Sequence, residues 1–415
     1  MISNVQNINI AEYDYPLPDE RIAKYPLPER DASKLLVLRD DTIRDDVFRN
    51  IGNYLPEKSV LVFNETKVVR ARLQFVKESG AAIEIFCLEP VTGNGDYQLA
   101  FSASSPVEWH CLVGNSRRWK DGTLSMPLTI NKSVGTHSCA SVKLYAQRLE
   151  KNDAYSTIRF SWEPAEISFA DVLEAAGEIP LPPYLHREAE PSDRERYQTV
   201  FAKYEGSVAA PTASLHLTKP LIAKLKAMGH TIEEVTLHVG AGTFRPVATD
   251  TIGEHEMHSE SIIVKRQTIE HLIDNIDRTI IPVGTTSMRT IESVYWIGVM
   301  LLEQGFDERN LHVNQWFPYQ DRTSLPSAKE SLEAILRYLD THHLDALHAT
   351  TALMIAPSCP IMITKALITN FHQPKSTLLL LVSALIGDKW KEAYQFALDH
   401  GFRFLSYGDS CFFMP

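Results

Sequence analysis

The sequence contains no segment suited to crossing a membrane or to export. Its longest apolar run, residues 378–386, is interrupted by Ser383 and is about half the length of a membrane-spanning helix. The first residues, MISNVQNINIAEYD, have neither a basic start nor an apolar core, so we expect no signal peptide. We therefore expect a soluble, cytoplasmic protein with no membrane partner.

Cysteine is scarce, and its spacing excludes two classes of small domain. None of the five cysteines belongs to a C-x-x-C pair; they are Cys87, Cys111, Cys139, Cys359 and Cys411. This pattern is typical of reduced thiols in the cytoplasm. It argues against zinc ribbons and disulfide frameworks.

Positive charge is also in short supply. Lys and Arg number 41 against 52 Asp and Glu, a net charge of −11, which excludes a surface that is basic throughout. Residues 67–160 differ, because they contain 12 basic and 8 acidic residues. A polyanion would therefore bind a local patch in this region. Arg117, Arg118 and Lys120 are candidates for the patch, although a solvated run of charges has the same pattern.

The common signatures of nucleotide-binding folds and hydrolases are absent. The sequence has no G-x-G-x-x-G motif, no P-loop, no G-x-S-x-G motif and no kinase signature. These fold and enzyme classes therefore have no support.

Short β-rich segments separated by turn signals fill residues 67–160. They lie at 71–76, 82–88, 96–102, 141–147 and 155–162. Dense short strands without a helical period predict a small antiparallel barrel or sandwich.

From residue 165 onward, a strand, a loop and a helix follow one another repeatedly. Thr218 is a helix cap, Gly229 a helix stop, and a strand then runs to Val239. Residues 280–283 and 366–369 begin two more such units, and Ser376 caps the helix after the second. This order predicts an α/β domain with a largely parallel sheet.

Two earlier segments belong to the same predicted sheet. Residues 35–38 and 60–63 are short apolar runs typical of buried strands. We therefore predict one α/β domain formed by residues 1–66 and 161–415. An inserted small antiparallel β-barrel domain, residues 67–160, interrupts it.

Polar and small residues follow three of the predicted strands. They are His238, Gly240, Gly242 and Thr243; Gly284, Thr285 and Thr286; and Asn370, His372, Lys375 and Ser376. In open α/β sheets, ligands bind beyond the carboxyl ends of the strands. Glycine lets a ligand approach the backbone, and helix N-termini offer free N–H groups to an anion. Each turn alone is unspecific, but three at equivalent positions predict a cleft.

Two further segments have more than one interpretation. Residues 254–260 place five titratable groups in seven residues. A metal site through His255 and His258, proton transfer or binding of a polar substrate, and a structural polar network are all consistent with them. Residues 206–213 are mostly small, so they form either a surface for a flat ligand or a tight loop between domains.

Nine segments match one family closely. They are 21–38, 61–73, 177–185, 196–218, 235–247, 254–260, 283–293, 367–387 and 403–410, and they include LVFNETKVVRARL, VTLHVGAGTFRPV and LITNFHQPKSTLLLLVSALIG. They occur in order over most of the predicted α/β domain. On these residues the chain resembles the S-adenosylmethionine:tRNA ribosyltransferase-isomerases of queuosine biosynthesis.

The resemblance implies a reaction and its partners. Such enzymes transfer and rearrange the ribosyl portion of S-adenosylmethionine onto 7-aminomethyl-7-deazaguanine in tRNA. The product is epoxyqueuosine-tRNA, and adenine and methionine are released. We therefore expect S-adenosylmethionine as co-substrate, tRNA as partner, no metal, and a cytoplasmic monomer or weak homo-oligomer with an inserted β-barrel.

The resemblance also implies roles for the matching residues. Candidates for proton transfer are His216, His238, His255, His258 and Glu260. Candidates for substrate binding are Ser207, Thr212, Gly240, Gly242, Thr243, Thr285, Thr286, Arg289, Asn370, His372 and Lys375. Candidates for contact with tRNA are Arg70 and Arg72, beside the entry to the β domain, together with Arg117 and Arg118 of the basic patch.

The chain departs from the family pattern at several places. Residues 214–217 replace Gly-Leu-His-Phe, Gln373 replaces a leucine, and residues 114–118 lack the expected Arg-Pro-Gly-Lys turn. Residues 295–348 are longer than the family needs, and Leu332, Ile335, Leu336 and Leu339 there predict an added amphipathic helix. Two other functions therefore stay open: the same chemistry on a different acceptor, and a non-catalytic protein that binds RNA or a nucleotide.

Overall fold

Two large sheets organise the chain. The computed structural model describes residues 5–92, 97–130, 140–152, 155–240, 247–307 and 310–415. Within them, one sheet is mixed and has ten strands, and the other is antiparallel and has seven. The predicted class, α/β with a largely parallel sheet and an inserted small antiparallel β-barrel, is confirmed; the first sheet is rich in parallel pairs and the second is a curled half-barrel.

The ten-stranded sheet supplies the framework. Its strands, numbered along the whole chain, are β1 (Lys34–Arg39), β2 (Thr42–Val47), β3 (Val60–Asn64), β13 (Thr231–Leu237), β14 (Glu260–Lys265), β15 (Ile280–Val283), β16 (His312–Val313), β17 (Ala346–Thr351), β18 (Leu367–Asn370) and β19 (Ser410–Met414). Their order is β16-β17-β14-β13-β3-β15-β18-β19-β1-β2. The four strands β13, β3, β15 and β18 are neighbours and all parallel. Their carboxyl ends therefore meet at one edge.

The central strands are buried on both faces. All five residues of β3 and all four of β15 are buried, as expected for parallel strands covered by helices on each side. Alternate residues of β3 belong to different cores, Val60 and Val62 to one and Leu61 and Phe63 to the other. The two-residue period of a strand explains this division.

Nine α-helices occur in the described residues. They are α1 (Tyr97–Ser102), α2 (Phe169–Ala176), α3 (Asp193–Arg196), α4 (Lys219–Ala227), α5 (Arg266–Asp274), α6 (Thr285–Gln304), α7 (Ala328–His342), α8 (Thr377–Ile386) and α9 (Lys389–Asp399). The predicted caps are confirmed, because Thr218 Oγ1 accepts from Leu221 N at 3.3 Å and Ser376 Oγ from Leu379 N at 3.2 Å. The predicted amphipathic helix is α7. No helix in this part of the chain combines the length and apolar character needed to cross a membrane.

The half-barrel is built from strands β5 to β11. They are β5 (Arg72–Val76), β6 (Ala82–Pro90), β7 (Val107–Gly114), β8 (Thr123–Ile130), β9 (Ala140–Lys151), β10 (Ser156–Glu163) and β11 (Gly177–Glu178), in the order β11-β5-β6-β7-β10-β9-β8. Helices α1 and α2 contribute to its core. The strand predicted at 96–102 is wrong, because residues 97–102 form α1. Tyr97 and Phe101 are one helical turn apart, and both rings lie against Trp109, at 5.9 and 5.1 Å.

A short two-stranded sheet joins the two modules. Strand β4 (Thr66–Val68) follows β3 after one residue and pairs in parallel with β12 (Tyr204–Ser207). The chain then enters the half-barrel at β5. The junction therefore lies directly beside the carboxyl ends of the central strands.

Candidate functional site

A cleft opens where the central parallel strands end. Its volume is about 810 Å³ including the open mouth. Residues at or after the ends of strands line most of it: Val239, Gly284, Thr285, Thr286, Thr369, Asn370, Phe371, His372 and Gln373. The small-residue loop contributes 209–213, and the start of α8 contributes Ser376, Thr377 and Leu378. The other lining residues are Tyr184, Tyr197, Leu405 and Ser406. The predicted binding residues Thr212, Thr285, Thr286, Asn370 and His372 are thus brought together.

No Asp, Glu, Lys or Arg occurs among the lining residues that the structure describes. The polar groups are hydroxyls, carboxamides and one imidazole, and the aromatic ones are Tyr184, Tyr197 and Phe371. Three small residues, Ala209, Ala210 and Pro211, leave room for a ligand against the backbone. The cleft therefore suits a flat or polar ligand that is bound without a strong counter-charge from side chains.

Two helix N-termini face this cleft. Helix α6 is 20 residues long and begins at Thr285, and its first hydrogen bond runs from Met288 N to Gly284 O at 3.1 Å. The N–H groups of residues 285–287 therefore precede the hydrogen-bonded turns. Gly284 has a φ of 100°, which favours glycine at this sharp entry to the helix. Thr377, at the start of α8, lines the same cleft, so the helix dipoles favour a negative group between the two helices.

Asn64 holds the strand ends together and was missed as a site residue. Its Oδ1 accepts from Thr66 N and Leu237 N, both at 3.1 Å. Its Nδ2 donates to Leu237 O at 3.0 Å and lies 3.4 Å from Thr286 Oγ1. Asn64 is the last residue of β3, just as Asn370 is the last residue of β18. The rule that ligands bind beyond the carboxyl ends of strands, applied to β3, would have identified Asn64.

His238 and Ser207 belong to a buried network behind the cleft. Thr66 Oγ1 lies 2.6 Å from Ser207 Oγ and 3.1 Å from His238 Nδ1. Ser207 Oγ also accepts from Val239 N at 2.8 Å. The His238 ring lies 5.5 Å from that of Tyr97 in α1. His238 therefore faces the junction with the half-barrel, while the adjacent Val239 belongs to the core on the other face.

Two other buried imidazoles are held uncharged by their surroundings. Burial lowers the pKa of His372 to about 3, and its Nε2 lies 2.9 Å from Thr369 Oγ1. Burial lowers the pKa of His216 to about 4, against an opposing effect of Asp409. His216 does not line the large cleft. Its Nδ1 lies 2.9 Å from Ser33 Oγ in an adjoining cavity.

Glu260 and Arg289 form an ion pair beside the cleft. Glu260 Oε1 also accepts from Gly240 N at 3.0 Å, and burial lowers the pKa of Arg289 to about 10. Arg289 lines a cavity of about 340 Å³ that shares Thr285 and Thr286 with the large cleft. This pair therefore anchors the turn after β13 to the first turns of α6.

The loop that carries His255 and His258 is held by one glutamine. Gln315 Oε1 accepts from Met257 N at 2.9 Å, and its Nε2 donates to His255 O at 2.7 Å. His255 is half-buried, which lowers its pKa, and His258 is exposed. The five proton-transfer candidates thus occupy separate places around the strand ends.

Lys375 lies at the surface. Its Nζ is 2.7 Å from Asp14 Oδ2, and its side chain is 43% exposed. It is not among the residues that line the cleft. Gly242 and Thr243 lie outside the described residues.

The predicted tRNA contacts differ in their partners. Arg70 pairs with Glu174 at 2.6 Å, and Arg72 lies 3.7 Å from Glu84. Arg117 and Arg118 are exposed on the half-barrel. Only this second pair is directed to solvent.

The metal interpretation of residues 254–260 has no support in the geometry. No group of three or more His, Cys, Asp or Glu side chains suited to a metal occurs in the part of the chain that the structure describes. Glu260 is instead engaged with Arg289 and Gly240.

The depressed pKa of His216 predicts a pH-dependent stability. Between pH 6.5 and about 4 the unfolded chain binds a proton that the folded chain does not, so stability falls as the pH falls through this interval. Over the full interval the free energy of unfolding falls by about 3 kcal/mol. The part between pH 6.5 and pH 5 accounts for about 2 kcal/mol of this loss. Urea unfolding of wild type, His216→Gln and the exposed-site control His258→Gln at pH 7.5 and 5 should show a smaller loss only in His216→Gln. Equal losses in all three would contradict the assignment of a neutral, buried His216.

Comparisons with known proteins give the same family over nearly all of the chain. A sequence profile described as "Queuosine biosynthesis protein" matches residues 10–413. A relative from Sulfurihydrogenibium sp. (strain YO3AOP1), named S-adenosylmethionine:tRNA ribosyltransferase-isomerase, is 35% identical over 409 residues, 97% of this chain and 99% of the relative. A relative of the same name from Syntrophotalea carbinolica is 36% identical over 408 residues, 97% of this chain and 98% of the relative.

One solved structure is also similar. It is an S-adenosylmethionine tRNA ribosyltransferase from Thermotoga maritima, 26% identical, which covers 97% of this chain and 99% of its own with a TM-score of 0.45. A TM-score of 0.45 is too low to support the assignment of a family, so the assignment rests on the sequence matches. On the profile match and the two relatives, the chain belongs to the queuosine biosynthesis protein family.

Proposed function

We propose that this protein transfers and isomerises the ribosyl moiety of S-adenosylmethionine onto 7-aminomethyl-7-deazaguanine in tRNA. The products are epoxyqueuosine-tRNA, adenine and methionine. The observation that carries the proposal is the cleft at the carboxyl ends of the parallel strands, whose described lining residues include no Asp, Glu, Lys or Arg, in a chain that matches the family over residues 10–413.

The lining of the cleft suits each part of S-adenosylmethionine. The rings of Tyr184, Tyr197 and Phe371 offer faces for adenine and for the positive sulfur, because aromatic faces attract cations. The carboxylate of the methionyl part fits the N-terminus of α6, where Thr285 and Thr286 line the cleft. Binding then needs no buried counter-ion, whose desolvation would be costly.

The reaction implied by the family begins with removal of a proton from the carbon beside the positive sulfur. The ribose then opens and adenine leaves. The amine of the tRNA base adds to the opened sugar, and an epoxide forms as methionine departs. Such a sequence needs a proton acceptor, a proton donor for adenine, and a cavity that excludes water.

Two buried imidazoles are suited to hydrogen bonding rather than to proton removal. Burial lowers the pKa of both His216 and His372, to about 4 and about 3, so both are uncharged and weakly basic at neutral pH. His238, His255 and His258 remain candidates from the family resemblance. Glu260 is ion-paired with Arg289, which suits it to holding the turn at Gly240 during the reaction.

The half-barrel offers a surface for the acceptor RNA. Arg117 and Arg118 are exposed there, in a short turn of the half-barrel. The junction strand β4 connects this module to the cleft through Thr66 and His238. tRNA held on the half-barrel would therefore lie next to the strand ends.

The reaction itself is the first test. Protein is incubated with S-adenosylmethionine and a tRNA that carries 7-aminomethyl-7-deazaguanine, and adenine release and the digested nucleosides are followed by mass spectrometry. We expect one adenine for each epoxyqueuosine nucleoside, and no adenine with a control tRNA that has guanine at that position. Adenine release without a change in the modified tRNA would contradict the proposed acceptor, and no adenine at all would contradict the chemistry.

His238→Ala should reduce turnover by about 100-fold or more, which is the usual effect of removing a group that transfers a proton. The matched control is His230→Ala, because His230 is also buried, at 5% exposure, but precedes β13 at the opposite edge of the sheet. The control should keep turnover within about threefold of wild type, and circular dichroism should show that both variants are folded. Wild-type turnover in His238→Ala would remove this residue from the mechanism.

A further inference from the structure

A second, basic cavity lies next to the reaction cleft. Its volume is about 300 Å³, and Arg30, Arg196 and Arg403 are among its lining residues, with His216 beside them. Ser406 lines both this cavity and the large cleft. The two spaces are therefore neighbours on either side of one serine.

The three arginines differ in their ion pairing. Arg403 is paired with Asp409 at 2.9 Å. Arg30 and Arg196 form no ion pair within the described residues. Their guanidinium groups donate to main-chain carbonyls instead: Arg30 to Gln198 O at 2.7 Å and Glu195 O at 2.8 Å, and Arg196 to Pro28 O at 3.1 Å and to Leu27 O.

Three carboxylates that are close by in sequence are bound to other arginines. Glu29 and Asp31 flank Arg30, yet both approach Arg49, at 2.8 and 3.5 Å. Asp193, three residues before Arg196, accepts hydrogen bonds from both Nη atoms of Arg187, at 2.7 and 2.8 Å. Glu195 is exposed and its charge raises the pKa of Arg30, but within the described residues it forms no ion pair with either cation of the cavity.

The two charges also act on each other. Burial is the main cause that lowers the pKa of Arg30, and the charge of Arg196 is the next. An anion placed between them would relieve this repulsion. Guanidinium groups match the geometry of phosphate oxygens, and each still has N–H groups beyond those given to carbonyls.

We propose that the cavity of Arg30 and Arg196 binds a backbone phosphate of the RNA substrate. This inference rests on the proposed function, since it assigns a place to the nucleotide next to the reacting base. A base and its flanking phosphates are joined through a single ribose, so a phosphate subsite that borders the cleft at Ser406 is where the nucleotide chain would pass. The exposed arginines of the half-barrel would then contact more distant phosphates.

The test uses the salt dependence of tRNA binding, which a purely structural role would not change. Fluorescence anisotropy with a labelled tRNA transcript gives Kd at several KCl concentrations for wild type, Arg196→Gln and Arg196→Lys. The matched control is Arg194→Gln, which removes the same charge from the same short helix, at an exposed position outside the cavity. Thermal unfolding midpoints are recorded for every variant.

Loss of one phosphate contact should make the slope of log Kd against log [KCl] shallower by about 0.7. We expect this in Arg196→Gln, together with a roughly tenfold weaker Kd at low salt and an unchanged KM for S-adenosylmethionine. Arg196→Lys should retain most of the slope, and Arg194→Gln should match wild type.

Each other outcome overturns the assignment in a distinct way. If Arg196→Gln weakens binding with an unchanged slope and a lower unfolding midpoint, the arginine is structural and the subsite is wrong, while the proposed function stands if wild type makes product. Calorimetric binding of inorganic phosphate to wild type, with equal tRNA slopes, would identify a free-phosphate site instead. Failure of wild type both to bind tRNA and to release adenine would overturn the proposed function and the subsite with it.

Discussion

The Asn64 carboxamide is the constraint on which the geometry of the cleft depends. Its oxygen and nitrogen connect the end of β3 to both backbone groups of Leu237 in β13, to Thr66 in β4 and to Thr286 in α6. Leaving one such buried group without a partner costs about 1–3 kcal/mol. A single side chain therefore links two strand ends, one helix N-terminus and the entry to the half-barrel, in addition to the backbone ladder between β3 and β13. The polar residues of these elements converge as a result.

Much of this arrangement could be predicted from sequence because it follows from local rules. A short apolar run identified β3, and Thr218 and Ser376 marked helix starts through capping. The strand-end rule predicted a cleft and correctly grouped Thr285, Thr286, Asn370 and His372. These signals depend only on neighbours in the chain, so tertiary structure did not alter them.

The remainder depended on partners that are distant in sequence. The segment predicted as a strand has no strong period, and its residues 97–102 form a helix whose aromatic rings pack against Trp109. Lys375 follows a strand as a binding residue should, but Asp14 from the other end of the chain holds it at the surface. Tyr184 and Tyr197 follow no strand of the central sheet, so the strand-end rule could not identify them, although both lie in segments that match the family.

The proposed function assigns the two substrates to surfaces of different charge. The net charge of −11 would repel RNA in general, so the proposed RNA contacts lie at cations that form no ion pair within the described residues, Arg117 and Arg118 and Arg30 and Arg196. The cleft has neither sign among its described lining residues, and helix dipoles and aromatic faces replace ions there. A crystal structure with S-adenosylmethionine bound tests this account most directly. It predicts the ligand in the cleft, with a carboxylate oxygen about 3 Å from the Thr285 or Thr286 N–H; a ligand bound outside the cleft, or with its carboxylate turned away from α6, would contradict it.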